Sequence, residues 1–130
     1  MNFEIVTPEG QKLTETVQEL TVPGIVGELG VLPGHIPILT VLDIGKLSFV
    51  QSSGGKRDMA VNGGFLEVDG DRLILITETA EFADEIDTDR ARKALETAEK
   101  ALQGLEVGDS AFESMLKKKR RAEVRLAVAG

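Results

Sequence analysis

The sequence has no cysteine, tryptophan or tyrosine, and only one histidine among its 130 residues. Without cysteine there are no disulfides and no thiol chemistry. One histidine leaves only scattered carboxylates as further metal ligands, so we predict no metal site. No apolar run approaches the roughly 20 residues that span a bilayer, and the N-terminus lacks the basic and apolar regions of a secretion signal. We therefore expect a single cytosolic domain.

Positive charge is also scarce, because 22 acidic residues outnumber 15 basic ones and the formal net charge is −7. Nucleic-acid phosphates require a positive surface, and five phenylalanines offer few rings for base stacking. We therefore predict no nucleic-acid partner. The charge is uneven, since residues 1–84 carry 5 basic and 13 acidic side chains and residues 85–130 carry 10 and 9. The two parts are expected to meet different partners.

The residue sets that perform catalysis are missing as well. His35 is the one candidate base, and no serine stands in a G-x-S-x-G or similar motif. The glycines around residues 23–34 lack the lysine and the helix start of a phosphate-binding loop, and no EF-hand pattern occurs. We predict that the chain is not an enzyme and requires no cofactor.

The first 80 residues are typical of short β-strands separated by turns. Alternating or β-branched segments begin at Phe3 and cover residues 13–22 and 46–51. Three glycine-containing connections are predicted to be tight hairpin turns, namely Ser52–Gly55, Asn62–Gly64 and Asp69–Gly70. This succession predicts an antiparallel meander in a β-sandwich or barrel.

After Glu81 the hydrophobic period becomes helical. Asp87 is a predicted N-cap, Gly104 a predicted terminator, and Ser110 with Glu113 forms a predicted capping box for a second helix. The short linker predicts an antiparallel pair. The fold class is thus α+β, with a β-sandwich at 1–84 and an α-helical hairpin at 85–130. The first helix has a mostly alanine stripe, which buries little area, so we hypothesise that the hairpin is only marginally held.

Two features remain open at this level. His35 lies between Pro33 and Pro37, and it is either a locally packed loop residue or a contact residue on a rigid loop. The basic run Lys117–Arg121 is either a solvated helix face or a surface for an acidic partner. A free-standing binding module, with the helices as an oligomerisation hairpin, is the alternative to a subunit of a larger assembly.

The segment VPGIVGELGVLPGHIPILT, at residues 22–40, resembles the signature of the epsilon subunit of bacterial and chloroplast F-type ATP synthases. The opening FEIVTPEG, the block MAVNGGFLEVDGDRLILITETAE and the segment EIDTDRARKALETAEKAL also resemble that family, so the similarity covers essentially the whole chain. It implies a non-catalytic rotor subunit that sits with the gamma subunit in the central stalk. Glu28 and His35 match the residues that face the polar loops of the c-ring.

The resemblance also implies a regulatory hairpin. Folded on the sandwich, it permits rotation. Extended, it reaches the catalytic alpha and beta subunits and hinders ATP hydrolysis, with a contact to the beta subunit by the basic residues Lys117, Lys118, Lys119, Arg120, Arg121 and Arg125. The implied location is peripheral, on the cytoplasmic face of the plasma membrane, with a monomeric chain in isolation.

Some family members bind ATP between sandwich and hairpin through an Ile-Asp-x-x-Arg-Ala motif. The matching residues here are Glu81, Ile86, Asp87, Arg90, Ala91, Arg121 and Arg125. One position departs from the pattern, because Thr97 stands where nucleotide-binding members have another arginine. The resemblance therefore implies ATP as a regulatory ligand, bound weakly rather than tightly.

Overall fold

The computed structural model describes all 130 residues, as seven strands followed by two helices. The strands are β1 (Asn2–Thr7), β2 (Gly10–Gly24), β3 (Gly27–Val31), β4 (Ile38–Gln51), β5 (Lys56–Asp69), β6 (Arg72–Ile76) and β7 (Ala80–Phe82). A short 3-10 turn, Ala83–Glu85, leads to α1 (Thr88–Gln103) and α2 (Ser110–Ala129). The predicted α+β fold class is confirmed.

The sheet closes on itself. Its strand order is β1-β6-β5-β4-β2-β3, and β2 also pairs with β1. Strands β4, β5 and β6 form the predicted antiparallel meander, whereas β1 and β6 pair in parallel. Closure leaves few unpaired edges, so a domain of this size keeps its strands satisfied without a second chain.

One of the three predicted turns is wrong. Asn62–Gly64 lies inside β5, whose residues pair with β4 on both sides of it, from Ile38↔Val68 to Val50↔Lys56. The glycines bend the strand instead, with φ of 71° at Gly63 and 113° at Gly64. A Cβ at Gly64 would stand 1.9 Å from the Ile76 carbonyl oxygen. The bend lets one half of β5 pair with β7 and the other half with β6.

The other two predicted turns are confirmed. Ser52–Gly55 joins β4 to β5, and a two-residue turn of Gly70 and Asp71 joins β5 to β6, with a φ of 59° at Gly70. A further hairpin, between β2 and β3, has Ile25 and Val26 at its tip, within the glycine-rich run for which the sequence predicted no strand.

The main core lies entirely within the sheet. Its 16 buried residues run from Phe3 to Ala80, and none belongs to a helix. Phe3 and Phe49 pack edge-to-face at 5.7 Å between ring centroids. At about 25 cal/mol per Å² of buried apolar surface, this cluster supplies most of the fold's stabilisation.

The helices return towards the sandwich as a hairpin. Asp87 caps α1 as predicted, with its side chain accepting from the Arg90 N–H at 3.1 Å, and Gly104 ends the helix. Near the end of α2, Val128 packs with Ile86 just before α1, so the two helices run antiparallel. The predicted capping box at Ser110 does not form, because Asp109 is the N-cap and its carboxylate accepts from the Glu106 N–H. Neither helix is long and apolar enough to cross a membrane.

Candidate functional site

A cavity of about 550 Å³ lies between the sandwich and the hairpin. We call it the hairpin cavity. The sandwich contributes the start of β2, the middle of β4 and β5, and the segment around β7, while the hairpin contributes one residue of α1 and three of α2. A ligand here would touch both parts of the chain at once.

The hairpin cavity is strongly charged. Four cations line it, and three of them come from the helices: Lys12, Arg90, Arg121 and Arg125. Four carboxylates line it as well: Glu9, Glu78, Glu81 and Glu85. The cations are grouped closely enough to meet one polyanion, but the carboxylates already compete for them.

Two of the four cations are already neutralised by carboxylates of the cavity. Arg125 Nη2 donates to Glu81 Oε2 at 3.1 Å, and its Nε lies 2.9 Å from Oε1 without hydrogen-bond geometry. Lys12 bonds the Glu85 carboxylate, and this contact is the main reason why the pKa of Glu85 lies below its usual value. Among the four cations of the cavity, Arg90 and Arg121 make no side-chain ion pair, so they are the two best placed to receive an anion.

The residues predicted for nucleotide binding divide into two groups. Glu81, Arg90, Arg121 and Arg125 line the hairpin cavity. Ile86 is buried with Ala60 and Val128, Asp87 caps α1, and Ala91 is fully buried, so these three have structural roles and do not line the cavity. Thr97 is exposed on α1, also away from the cavity lining.

The basic run of α2 is only partly available on the docked hairpin. Lys117 and Lys118 are exposed, and Lys119 is half-buried. Arg120 is held by Asp43 of β4, because its Nη1 and Nη2 donate to the carboxylate at 3.1 and 3.0 Å. This hydrogen-bonded pair keeps the pKa of Asp43 below its usual range, although partial burial opposes the shift. No local sequence signal indicates this pair, because its members are 77 residues apart.

The loop around His35 contains a hydrogen-bonded turn at Pro33. Leu32 to His35 form a turn in which the His35 N–H donates to the Leu32 carbonyl at 3.1 Å. Pro33 and Gly34, with φ of 86°, are the central residues that a type II turn requires. The imidazole is half-exposed, and its Nδ1 lies 2.7 Å from the Ile36 carbonyl oxygen. Glu28 is exposed on the neighbouring β3.

Four exposed apolar side chains lie in the connecting segments on either side of β3. They are Ile25, Val26, Leu32 and Ile36, exposed by 61%, 102%, 58% and 70%. We call them the tip patch, since they occupy the β2–β3 turn and the loop that follows β3. Large exposed apolar side chains on connecting loops suit a contact with a partner.

A second apolar surface, the outer row, crosses three strands. Val41 pairs with Phe65, and Phe65 pairs with Ile76, so the three side chains lie side by side on one face. They are exposed by 44%, 49% and 54%, and Leu39 two residues along β4 adds a fourth at 70%. Sequence reasoning did not locate this row, because the strand register that aligns it is a tertiary property.

Comparisons with known proteins give a consistent result. The family model for the ATP synthase delta/epsilon chain beta-sandwich domain matches residues 1–83. The chain is 46% identical to the ATP synthase epsilon chain of Geotalea uraniireducens, over 99% of this chain and 93% of that one. It is 47% identical to that of Trichlorobacter lovleyi, over 100% and 94%.

Solved structures agree in architecture. One chain of the Euglena gracilis mitochondrial ATP synthase, in an OSCP/F1/c-ring structure, matches with a TM-score of 0.73 and 27% identity, over 98% of this chain and 75% of that one. A chain of the Tetrahymena thermophila mitochondrial ATP synthase central stalk and c-ring matches with a TM-score of 0.61 and 16% identity, over 100% and 96%. The second match supports the fold alone.

Proposed function

The chain belongs to the family of ATP synthase epsilon chains, and from that premise we propose that it is a non-catalytic subunit of the central stalk. The relationship to epsilon chains over its full length carries this conclusion. The match to a chain of an F1/c-ring structure supports it. On this proposal the chain is peripheral to the membrane, on its cytoplasmic face, and couples the catalytic head to the c-ring.

The outer row is our proposed contact with the gamma subunit. An apolar surface spread over three paired strands is rigid, so it loses little conformational freedom when a partner covers it. Phe65 stands in the middle, with a neighbour on each side. Large residues at the centre of such a patch contribute most to affinity.

Binding of purified gamma subunit tests this contact. Phe65→Asp is expected to weaken binding at least about tenfold, because it places a charge in the centre of the apolar interface. Val107→Asp is the matched control, since Val107 is equally apolar and 75% exposed but lies in the loop between the helices. Equal binding by wild type and Phe65→Asp would rule out the outer row as this contact.

The tip patch, with Glu28 and His35, is our proposed contact with the polar loops of the c-ring. The turn at Pro33 and Gly34 fixes the loop, so its side chains are presented without an ordering cost. An imidazole and a carboxylate beside apolar side chains suit a partner loop that is both polar and compact.

The hairpin is our proposed regulatory element. Its docked form buries few apolar residues against the sandwich, which suits a part with two positions separated by only a few kcal/mol. In the released form the basic residues of α2, from Lys117 to Arg125, are free to meet an acidic surface of the beta subunit and restrain hydrolysis. Charge complementarity of this kind is well suited to reversible contacts.

The hairpin cavity is our proposed site for regulatory ATP. Arg90 and Arg121 are free of ion pairs, and a triphosphate that contacts sandwich and helices together would favour docking. The carboxylates that share the cavity, and Thr97 outside it, favour weak binding. The site is regulatory, so the subunit functions without a required cofactor.

Calorimetric titration of ATP into the isolated chain tests this site. Saturable binding is expected in wild type and a loss of about tenfold or more in Arg90→Ala, because a charge-assisted phosphate contact is removed. Arg92→Ala is the matched control, since Arg92 belongs to the same helix but pairs with Asp89 outside the cavity. No binding at millimolar ATP would rule out this site and leave Asp87 with its role as the N-cap of α1.

A further inference from the structure

One ion pair joins the middle of α2 to the middle of β4. Arg120 Nη1 and Nη2 donate to the two carboxylate oxygens of Asp43 at 3.1 and 3.0 Å, and Nη2 also approaches the Ile44 carbonyl at 3.4 Å. The Ile44 N–H donates to Asp43 Oδ1 at 2.8 Å, which holds the carboxylate in place. A paired arrangement of this kind is geometrically specific as well as charged.

The rest of the docking interface is small. Its buried apolar residues are Ala60 of the sheet with Ile86 and Val128, and only Val124 and Ala129 pack at its edge. The large core contains no residue of the hairpin. With so little apolar burial, the ion pairs between α2 and the sandwich carry a substantial share of the docking preference.

Arg120 also belongs to the basic run that we propose meets the catalytic head. A guanidinium whose two Nη groups are held by one carboxylate is not available for the same arrangement with another. The docked hairpin and an acidic partner therefore compete for Arg120. Asp43 is the group that holds Arg120 on the sandwich side.

We propose that Asp43 is a positioning residue that keeps the hairpin docked by engaging Arg120 and withholding it from the acidic partner. The consequence for hydrolysis rests on the proposed inhibitory role of the hairpin. The effect of Asp43 on docking does not rest on that role, because docking is a property of the isolated chain.

The size of the effect follows from exposure. The side chains of Arg120 and Asp43 are 46% and 36% exposed, so solvent screens the pair. Loss of such a pair shifts an equilibrium about two- to fivefold. The released fraction should therefore rise by that factor when either partner is neutralised.

Fluorescence energy transfer within the full chain measures this fraction directly. The chain has no cysteine, so Ser53→Cys and Gln103→Cys place two labels on exposed positions of the sandwich and the hairpin. Asp43→Asn and Arg120→Gln are each expected to enlarge the population with the changed distance about two- to fivefold. The double variant, Asp43→Asn with Arg120→Gln, should have no larger released population than either single variant. The exchanged pair, Asp43→Arg with Arg120→Asp, should restore docking.

Asp89→Asn is the matched control. It removes the same charge and an ion pair of 3.0 Å with Arg92, but that pair lies within α1 and does not cross to the sandwich. A distance distribution in Asp43→Asn equal to that of wild type and of Asp89→Asn would overturn the proposal. The proposal would also be overturned if the exchanged pair failed to restore docking although Asp43→Arg and Arg120→Asp, each made alone, stayed folded by circular dichroism.

Hydrolysis by the assembled complex separates this proposal from the proposed function. If the hairpin inhibits, Asp43→Asn should lower ATP hydrolysis about as much as it raises the released fraction. A changed distance distribution with unchanged hydrolysis would support Asp43 as the docking residue and contradict the inhibitory role. Unchanged distances in Asp43→Asn, together with strong inhibition by the wild-type chain, would support the inhibitory role and contradict Asp43 as the docking residue.

Discussion

Gly64 is the residue whose identity the sheet depends on most visibly. Its φ is 113°, and a Cβ there would stand 1.9 Å from the Ile76 carbonyl oxygen. The positive φ and the close carbonyl oxygen both exclude any side chain with a Cβ. Strand β5 can therefore bend between β6 and β7 only with glycine at this position.

Gly64→Ala should therefore lower the free energy of unfolding by about 2–4 kcal/mol, through backbone strain and a displaced strand partner. Chemical denaturation monitored by circular dichroism measures this loss. Gly30→Ala is the control, since Gly30 has no positive φ and open space where a Cβ would go, and its effect should stay within about 0.5 kcal/mol. Equal stability of the two variants would contradict the strain argument.

Asp43 gives the docking contact a defined pH dependence. Its hydrogen bonds from Arg120 hold its pKa below the ordinary value of 3.8 in the docked state. The charged form is therefore favoured by docking, and the contribution is complete above that ordinary value. It is lost as the pH falls through the lowered pKa, since Arg120 stays charged throughout.

We expect the docked fraction in the doubly labelled chain to be constant between pH 6 and 8 and to fall only below about pH 4. In Asp43→Asn the acid-induced fall should be smaller, because this variant has no carboxylate at residue 43 to protonate. A release centred near neutral pH would contradict this assignment, because it would require a different titrating group.

At the scale of elements, the sheet and the hairpin differ in how they are stabilised. The sheet has a closed hydrogen-bond ladder and a core of 16 buried residues of its own. The helices bury four residues, namely Ala91, Ala98, Ala122 and Val128. A hairpin with so little buried apolar area depends on its contacts with the sheet, whereas the sheet does not depend on the hairpin.

A chain truncated after Asp87 should still unfold cooperatively, with a loss of only about 1–2 kcal/mol from the uncovering of Ala60 and its surroundings. Thermal unfolding followed by circular dichroism in the β-sheet region checks this. The hairpin in the full chain should exchange its amide hydrogens faster than the sheet core. A truncated chain without a cooperative transition would show that the helices are part of the same core.

The sequence predicted elements well where local chemistry determines them. Asp87 as a cap, Gly104 as a terminator and the turns at Ser52–Gly55 and Asp69–Gly70 all depend on conformational preferences of neighbouring residues. Asn62–Gly64 has the same local preference for positive φ, but the long pairing of β5 with β4 turns it into a bend within a strand.

The candidate site was predictable only in part, because several of its residues are brought together by contacts between distant parts of the chain. The family resemblance indicated Glu81, Arg90, Arg121 and Arg125, which the fold brings to one cavity. Lys12 lines that cavity too, but it comes from a strand far away in sequence. The outer row and the Asp43–Arg120 pair likewise arise from strand register and helix docking, which no short stretch of sequence encodes.

At the scale of the whole molecule, three surfaces serve three proposed contacts. The outer row suits gamma, the tip patch with Glu28 and His35 suits the c-ring, and the basic face of α2 suits the catalytic head. They are carried by a rigid sheet and a weakly docked hairpin. Under the proposed function, this division lets the chain transmit rotation through its sheet while its helices change position.

Reconstitution of an ATP synthase complex that lacks its epsilon subunit tests this account most directly. Added wild-type chain should bind stoichiometrically and restore ATP-driven ion pumping, and Phe65→Asp should restore it only at concentrations at least about tenfold higher. Binding without any gain in pumping, or no binding at all, would contradict the proposal that the chain is a coupling subunit of the central stalk.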